Sequence, residues 1–335
     1  MSRRKRFRQT IVPLLFWLAA GGLVWLALRG VSWREAVTAL RGLDGGKVAA
    51  LVGMNGLLLT LMNGRWWLVL RAQGQRLPFW RLFAYRLGAY SISFFTPGPQ
   101  FGGEPFQGLM LTRRHGVAQG MAAATVTLDK ALELVVSFSF LAVGIGVVGQ
   151  RRLLPELTAP ALPLALGLLA MPAFFLTSTI SGKYPLSGAW RRLPRRWQSR
   201  FPQFSAGIQE TEAIVGTFCR TYPRTLALIL LLSVAAFLVL IAEYWLMLHF
   251  LGATLTATEV IMAFTVVRLS LLAPTPGALG AVEAGQVLAL GALGYNPAVA
   301  ISLSLISRAR DVGFGLLGLA YAGWQWQNRR PGSHR

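Results

Sequence analysis

The sequence predicts an all-α, polytopic membrane helix bundle with two internal repeats, each containing a re-entrant or discontinuous helix broken by Gly and Pro. Three observations carry this. Of 335 residues, 54% are apolar or aromatic and 13% are charged, against about 45–50% and about 25% in soluble domains. Charge-free apolar runs recur at residues 9–28, 48–64, 87–103, 134–150, 157–182, 225–242, 269–282, 284–307 and 312–328, and a membrane-spanning helix needs about 20 such residues. A Thr-Pro-Gly motif with the same downstream Glu and Gln returns 179 residues later.

In chain order, Arg3, Arg4, Lys5, Arg6 and Arg8 precede the first run, which the positive-inside rule places in the cytoplasm. That run is long enough to span and has no convincing cleavage site, so it is expected to stay as the first transmembrane helix. Residues 29–47 read as a connector with a short interfacial helix near 33–40. The second span, about 48–70, ends in Arg65-Trp66-Trp67 and Arg71, an aromatic and cationic belt suited to headgroups. Trp66, Trp67, Trp324 and Trp326 are expected to be interface anchors.

The longest hydrophilic stretch, residues 181–224, is read as a basic cytoplasmic loop with an amphipathic helix over 204–218. The net charge of +21 could suggest nucleic acid. Its cations flank apolar spans, however, so topology control and anionic lipid are the expected roles, with no nucleic acid. A lone Cys219 and three scattered His residues offer neither a disulfide nor a metal cluster. No metal and no cofactor are expected, and no phosphate-binding Gly-Lys-Ser/Thr loop is present.

The repeat is the sharpest feature. Pro97 is followed by Glu104 after seven residues and Gln107 after ten; Pro276 is followed by Glu283 and Gln286 at the same distances. Downstream, Lys130 and Glu133 match Arg308 and Asp311, and Arg86 and Arg268 stand upstream. Repeat 1 is expected over about 79–150 and repeat 2 over about 257–326, within one integral membrane domain covering 1–335. Pro97, Gly98, Pro99, Gly102, Gly103 and Pro105 cannot all lie in a regular helix. Pro276, Gly277 and Gly280 break the second copy in the same way. Such breaks at membrane depth are tolerated where they line a polar cavity or are buried in protein, and in paired form they point to a transport site.

Of twelve acids, Glu104, Asp129, Glu133, Glu243, Glu283 and Asp311 fall in or beside apolar segments. Charges there must pair or meet water. Lys130 with Glu133 and Arg308 with Asp311 can pair along one helix. Arg86 with Glu104, and Arg268 with Glu283, are cross-segment candidates. The expected substrate-binding set is Pro97, Gly98, Gly103, Glu104, Pro276, Gly277, Gly280, Glu283, Arg86 and Arg268, with no catalytic residue assigned. Glu243 reads equally as an interhelical anchor.

Residues 63–67 (Asn-Gly-Arg-Trp-Trp), 95–104 (Phe-Thr-Pro-Gly-Pro-Gln-Phe-Gly-Gly-Glu) and 274–283 (Pro-Thr-Pro-Gly-Ala-Leu-Gly-Ala-Val-Glu) resemble the flippase-like transmembrane region of lysylphosphatidylglycerol synthase, the multiple peptide resistance factor. Ala278 stands where that family often has a second Gly, and Asp129-Lys130 where it often has Glu-Arg. The sequence runs only a few residues past its last predicted span, so neither that family's aminoacyltransferase domain nor its synthase reaction is expected.

The resemblance implies a multi-pass protein of the plasma or inner membrane, with cytoplasmic termini, that translocates a phospholipid or polyprenyl-linked lipid between leaflets. Its partners are then membrane lipids with an anionic or polyprenyl-phosphate headgroup, and a separate lipid-modifying enzyme is a candidate. The alternative reading is a membrane-embedded glycosyl- or phosphotransferase, or an accessory subunit, acting on a lipid-linked substrate.

Overall fold

The computed structural model describes residues 44–95, 102–151, 155–194, 196, 198, 202–273, 278 and 280–327. The first apolar run, the connector helix, Pro97, Gly98, Pro276, Gly277 and the C-terminal tail lie outside the described residues. Among the described residues the chain is all-helical.

Helix α1 (Gly45–Ala72) starts where the Asp44 side chain accepts from the Lys47 N–H at 2.9 Å, satisfying one of the donors a helix N-terminus leaves open. Helix α2 (Phe79–Phe95) runs to the first break. Helix α3 (Glu104–His115) begins after it and stops at Gly116, whose φ of 66° is the left-handed cap that glycine adopts without steric cost. Helix α4 (Gln119–Gln150) is followed by α5 (Pro155–Ile180), which carries Pro160, Pro163 and Pro172 internally. Membrane helices tolerate this where neighbours re-satisfy the backbone.

The basic stretch is itself helical. Helix α6 (Pro185–Arg192) is capped by the buried Glu212 carboxylate, which accepts from the Leu186 N–H at 2.6 Å and the Ser187 N–H at 3.0 Å. Helix α7 (Pro202–Thr221) contains the expected amphipathic segment. Its Val215, Phe218 and Cys219 pack on Phe175 and Leu176 of α5 and Leu128 and Leu132 of α4. Arg220 donates to the Thr179 and Ile180 carbonyls at 3.1 and 3.0 Å, capping α5 with a cation where the helix dipole is negative.

Helix α8 (Pro223–Phe250) lies along α1. Helix α9 (Ala257–Ser270) opens on a reciprocal Thr256–Glu259 capping box and runs to the second break. Helices α10 (Ala281–Ala292) and α11 (Pro297–Gln327) complete the described chain.

Four helical stretches are long and apolar enough to cross a membrane among the described residues: Gly45–Ala72, Gln119–Gln150, Thr158–Ile180 and Pro223–Phe250. Val52, Leu164, Met171, Phe174, Leu231, Leu238 and Leu317 project outward, an apolar girdle that water would oppose and lipid accommodates.

The crossings around the two breaks are reciprocal. Helix α2 packs on α11 and α9 on α4, while α3 packs on α4 and α10 on α11. Glycine permits each close approach: a Cβ at Gly318 would collide with the Leu87 carbonyl, and one at Gly144 with the Thr265 hydroxyl.

Candidate functional site

A cavity of about 300 Å³ lies between the helices flanking the two breaks, with α1 and α8 completing its wall. Leu58, Phe94, Phe237, Leu240 and Phe264 make much of it apolar, yet most of the intramembrane charges also face it.

The first group of charges forms a closed chain. Asp129 on α4 accepts a charged hydrogen bond from Arg86 of α2, and its other oxygen is 3.3 Å from Arg65 Nε of α1. Arg65 continues to Glu133 at 3.2 Å, Glu133 to Lys130 at 3.0 Å, and Lys130 to Glu104 at 3.4 Å. Arg65 and Asp129 are nearly inaccessible. Each charge therefore has a counter-ion in the low-dielectric interior, as buried ions require.

The second group is looser. Arg308 reaches Glu283 through Nε at 2.7 Å and Nη2 at 3.1 Å, and Nη2 also donates to the Ala278 carbonyl at 3.2 Å. Arg310 stands between Glu243 at 2.7 Å and Asp311 at 2.8 Å. Asn55 donates to Glu243 at 2.6 Å and the Tyr90 hydroxyl to Asp311 at 3.3 Å. Arg268 donates to Ser137 Oγ at 2.7 Å and lies over the Phe237 and Phe264 rings at 5.4 and 6.0 Å.

Several expectations change. Arg86 pairs with Asp129 of α4 and not with Glu104, which lies beyond the break and is held by Lys130 and the Gly102 N–H. Arg268 meets Ser137 and two rings in place of Glu283, whose partner is Arg308. Arg308 is thereby drawn from Asp311, its neighbour along the helix, which Arg310 and Tyr90 hold. Along α4, Lys130 and Glu133 do meet.

The broken segments position the acids. The Gly103 N–H donates to Ser93 Oγ at 2.9 Å, and the Gly102 N–H donates to Glu104 itself at 2.8 Å. The carboxylate thus occupies the N-terminal end of its own helix, where the dipole favours negative charge. A Cβ at Gly103 would strike the Ala89 backbone, so glycine is needed for α3 to approach α2. Glu283 holds the matching place in the first turn of α10, after Gly280 at φ 78°, but it pairs with Arg308 outside the cavity wall, whereas Glu104, Gln107 and Gln286 line it. Ala278 is buried with φ 50°, a left-handed backbone that explains why glycine suits this place.

Arg65 and Trp66 depart most from expectation. Their sequence context predicts a headgroup belt, yet both are buried, with Trp66 in the core beside Leu70, Leu82 and Tyr85. Trp67 is half-buried, donates to the Leu77 carbonyl at 3.2 Å and carries Arg71 over its ring, while Trp324 is exposed. The signal for Arg65 was its helical spacing from Asn55 and Met62, which share its face on the cavity.

Among the described residues, no group of three His, Cys, Asp or Glu side chains is arranged to hold a metal ion. Residues 11–318 match the model of the family described as the lysylphosphatidylglycerol synthase TM region. The chain is also similar to a UPF0104 membrane protein of Methanocaldococcus jannaschii, with 23% identity over 271 residues, covering 75% of this chain and 76% of that protein.

Proposed function

Because the chain belongs to the lysylphosphatidylglycerol synthase TM-region family of multi-pass membrane proteins, we propose that it binds a phospholipid or polyprenyl-linked lipid and moves it between leaflets. The observation carrying this reading is the cavity of about 300 Å³, walled by apolar side chains and charged groups between the two broken segments. A polar headgroup has no favourable place in the hydrocarbon layer unless protein supplies counter-charges and hydrogen bonds. The cavity offers both beside an apolar surface for acyl chains.

The reciprocal crossings of α2 on α11 and α9 on α4 support reading residues 79–150 and 257–326 as repeats. Two such halves provide the pair of alternative packings that alternating access needs. Within this reading Glu104 faces the headgroup, Glu283 holds Arg308 in place, and Pro97, Gly98, Gly103, Pro276, Gly277 and Gly280 belong to the binding set with Arg86 and Arg268. The membrane is the plasma or inner membrane, with both termini and residues 181–224 in the cytoplasm.

Reconstitution tests the function. In vesicles carrying a lipid labelled with a dithionite-sensitive fluorophore, the protein is expected to expose inner-leaflet label that protein-free vesicles protect. Glu104→Gln is expected to slow that exposure at least tenfold. Protection equal to that of empty vesicles rejects the reading, and a covalently altered lipid without crossing points to transferase activity instead.

A further inference from the structure

Counted together with Glu283, the partner of Arg308 behind the wall, the charges facing the cavity balance overall but not locally. Arg65, Arg86 and Lys130 are matched by Glu104, Asp129 and Glu133 in one connected chain. Arg308 and Glu283 close as a pair. Four charges remain: Arg268, Arg310, Glu243 and Asp311.

Arg310 is shared by both remaining carboxylates, so that cluster has one negative charge in excess. Asn55 and Tyr90 contribute neutral donors to it and leave its charge unchanged. Arg268 has no carboxylate contact among the described residues. A guanidinium has five N–H donors, and Ser137 is the hydrogen-bond acceptor it meets there. Glu133, the carboxylate that attracts Arg268 from a distance, is already engaged by Arg65 and Lys130.

The cavity lining thus carries one cation in local excess, Arg268, and one net anionic cluster, Glu243, Arg310 and Asp311, and these are its two poles of charge. A second donor stands near the cationic one. The Tyr244 hydroxyl is buried without a hydrogen-bond partner among the described residues, and its ring is 5.5 Å from Phe264, the ring beneath Arg268. Tyr244 also lines the cavity.

We infer that the cavity selects a headgroup bearing one phosphate monoanion and one primary ammonium, the phosphate against Arg268 and Tyr244 and the ammonium against Glu243 and Asp311. This rests on the lipid-translocation reading and names its substrate class. Such a headgroup leaves no charge uncompensated at either pole. A phosphatidylglycerol-type headgroup fills the first pole and leaves the second unpaired. A choline headgroup carries the positive charge but no N–H to donate. A volume of about 300 Å³ is at the small end of ligand pockets, about 300–1,000 Å³, which suits a headgroup with its chains outside.

The test is calorimetric titration of the purified full chain in detergent with dihexanoyl phosphatidylethanolamine, dihexanoyl phosphatidylglycerol, dihexanoyl phosphatidylcholine and O-phosphoethanolamine. The ethanolamine lipid is expected to bind at least tenfold more tightly than the other three. Arg268→Gln is expected to weaken the ethanolamine and glycerol lipids alike. Glu243→Gln is expected to weaken the ethanolamine lipid tenfold and leave the glycerol lipid unchanged, with Asp311→Asn giving the same split should Glu243→Gln fail to fold.

Equal binding of the ethanolamine and glycerol lipids, or a Glu243→Gln loss shared by both, overturns the proposal. Equally tight O-phosphoethanolamine overturns a lipid as the source. If labelled lipid still crosses vesicles after such a result, the assigned headgroup falls alone. If no lipid binds and none crosses, the translocation reading falls with it.

Discussion

The segments around the two breaks carry the same kinds of residue at matching distances, yet they use charge differently. On the first side Asp129 is held between Arg65 and Arg86, and the chain of ion pairs runs unbroken to Glu104. On the second side Arg308 and Glu283 pair off, Arg310 serves two acids, and Arg268 rests on aromatic rings. The difference separates charges matched within the protein from charges matched less completely, and on the proposed reading the second kind are the ones a ligand completes. A buried ion with its counter-ion in place stabilises packing, whereas one without a counter-ion stores binding energy for whatever supplies it.

The largest expected effect breaks the closed side. Asp129→Asn leaves two guanidiniums facing each other without their shared carboxylate, and losing one partner of a buried pair costs about 3–5 kcal/mol. Asp311→Asn on the open side removes an excess negative charge and should cost less than about 1 kcal/mol, within the usual range of mild substitutions. Thermal unfolding of both variants in the same detergent measures the contrast. Equal losses would remove the distinction between the two sides.

The glycines sharpen it next. Gly103→Ala drives a methyl group into the Ala89 backbone, and overpacking of this kind costs about 1–3 kcal/mol. Gly280→Ala meets open space but must hold φ at 78°, for about 1–2 kcal/mol. Lipid transfer and melting should therefore both suffer more at the first break than at the second. Ala278→Gly, which relieves a positive φ of 50°, should raise stability by under about 1 kcal/mol after the added chain entropy of glycine, seen as a slightly higher melting temperature.

The smallest effect concerns α7, outside the spans. Burial pushes the Cys219 thiol up to about 11, so at pH 8 only about one molecule in a thousand carries the reactive thiolate. Alkylation by iodoacetamide should be slow there and rise about tenfold per pH unit until the pH approaches 11. Fast labelling at pH 8 would show that α7 leaves α4 and α5. Orientation is better read from Gln209→Cys, on the exposed face of α7, in a Cys219→Ala background. Labelling of that site by an impermeant reagent in intact cells would contradict a cytoplasmic loop.

Much of the fold was legible because its signals are local. The apolar runs at 48–64, 134–150, 157–182 and 225–242 became parts of spans, and the described parts of α2 and α9 stop ahead of the Gly- and Pro-rich stretches. The amphipathic pattern at 204–218 lies within α7. The charges themselves were legible as interruptions of those runs, but their partners were not. Lys130 and Glu133 are neighbours on one helix and could be paired by spacing alone. Arg65 resembled a headgroup residue because two tryptophans follow it, and only packing against α4 shows it in the interior. Arg308 illustrates the same limit, since a carboxylate 25 positions away displaces one that is three positions away.

By itself the sequence determined a helical membrane protein with two broken segments and with half of its acids inside apolar surroundings. Hydropathy, the missing N–H of proline and the weak helix tendency of glycine act over a few residues, so they can be read without a fold. The tertiary structure alone decided which charge neutralises which. In a low-dielectric interior an ion takes the counter-ion that packing brings nearest, and Arg65 and Arg86 find theirs 68 and 43 positions away. Among the described residues the same packing left Arg268 without an acid and Arg310 with two, an imbalance that a count of charges along the sequence does not reveal.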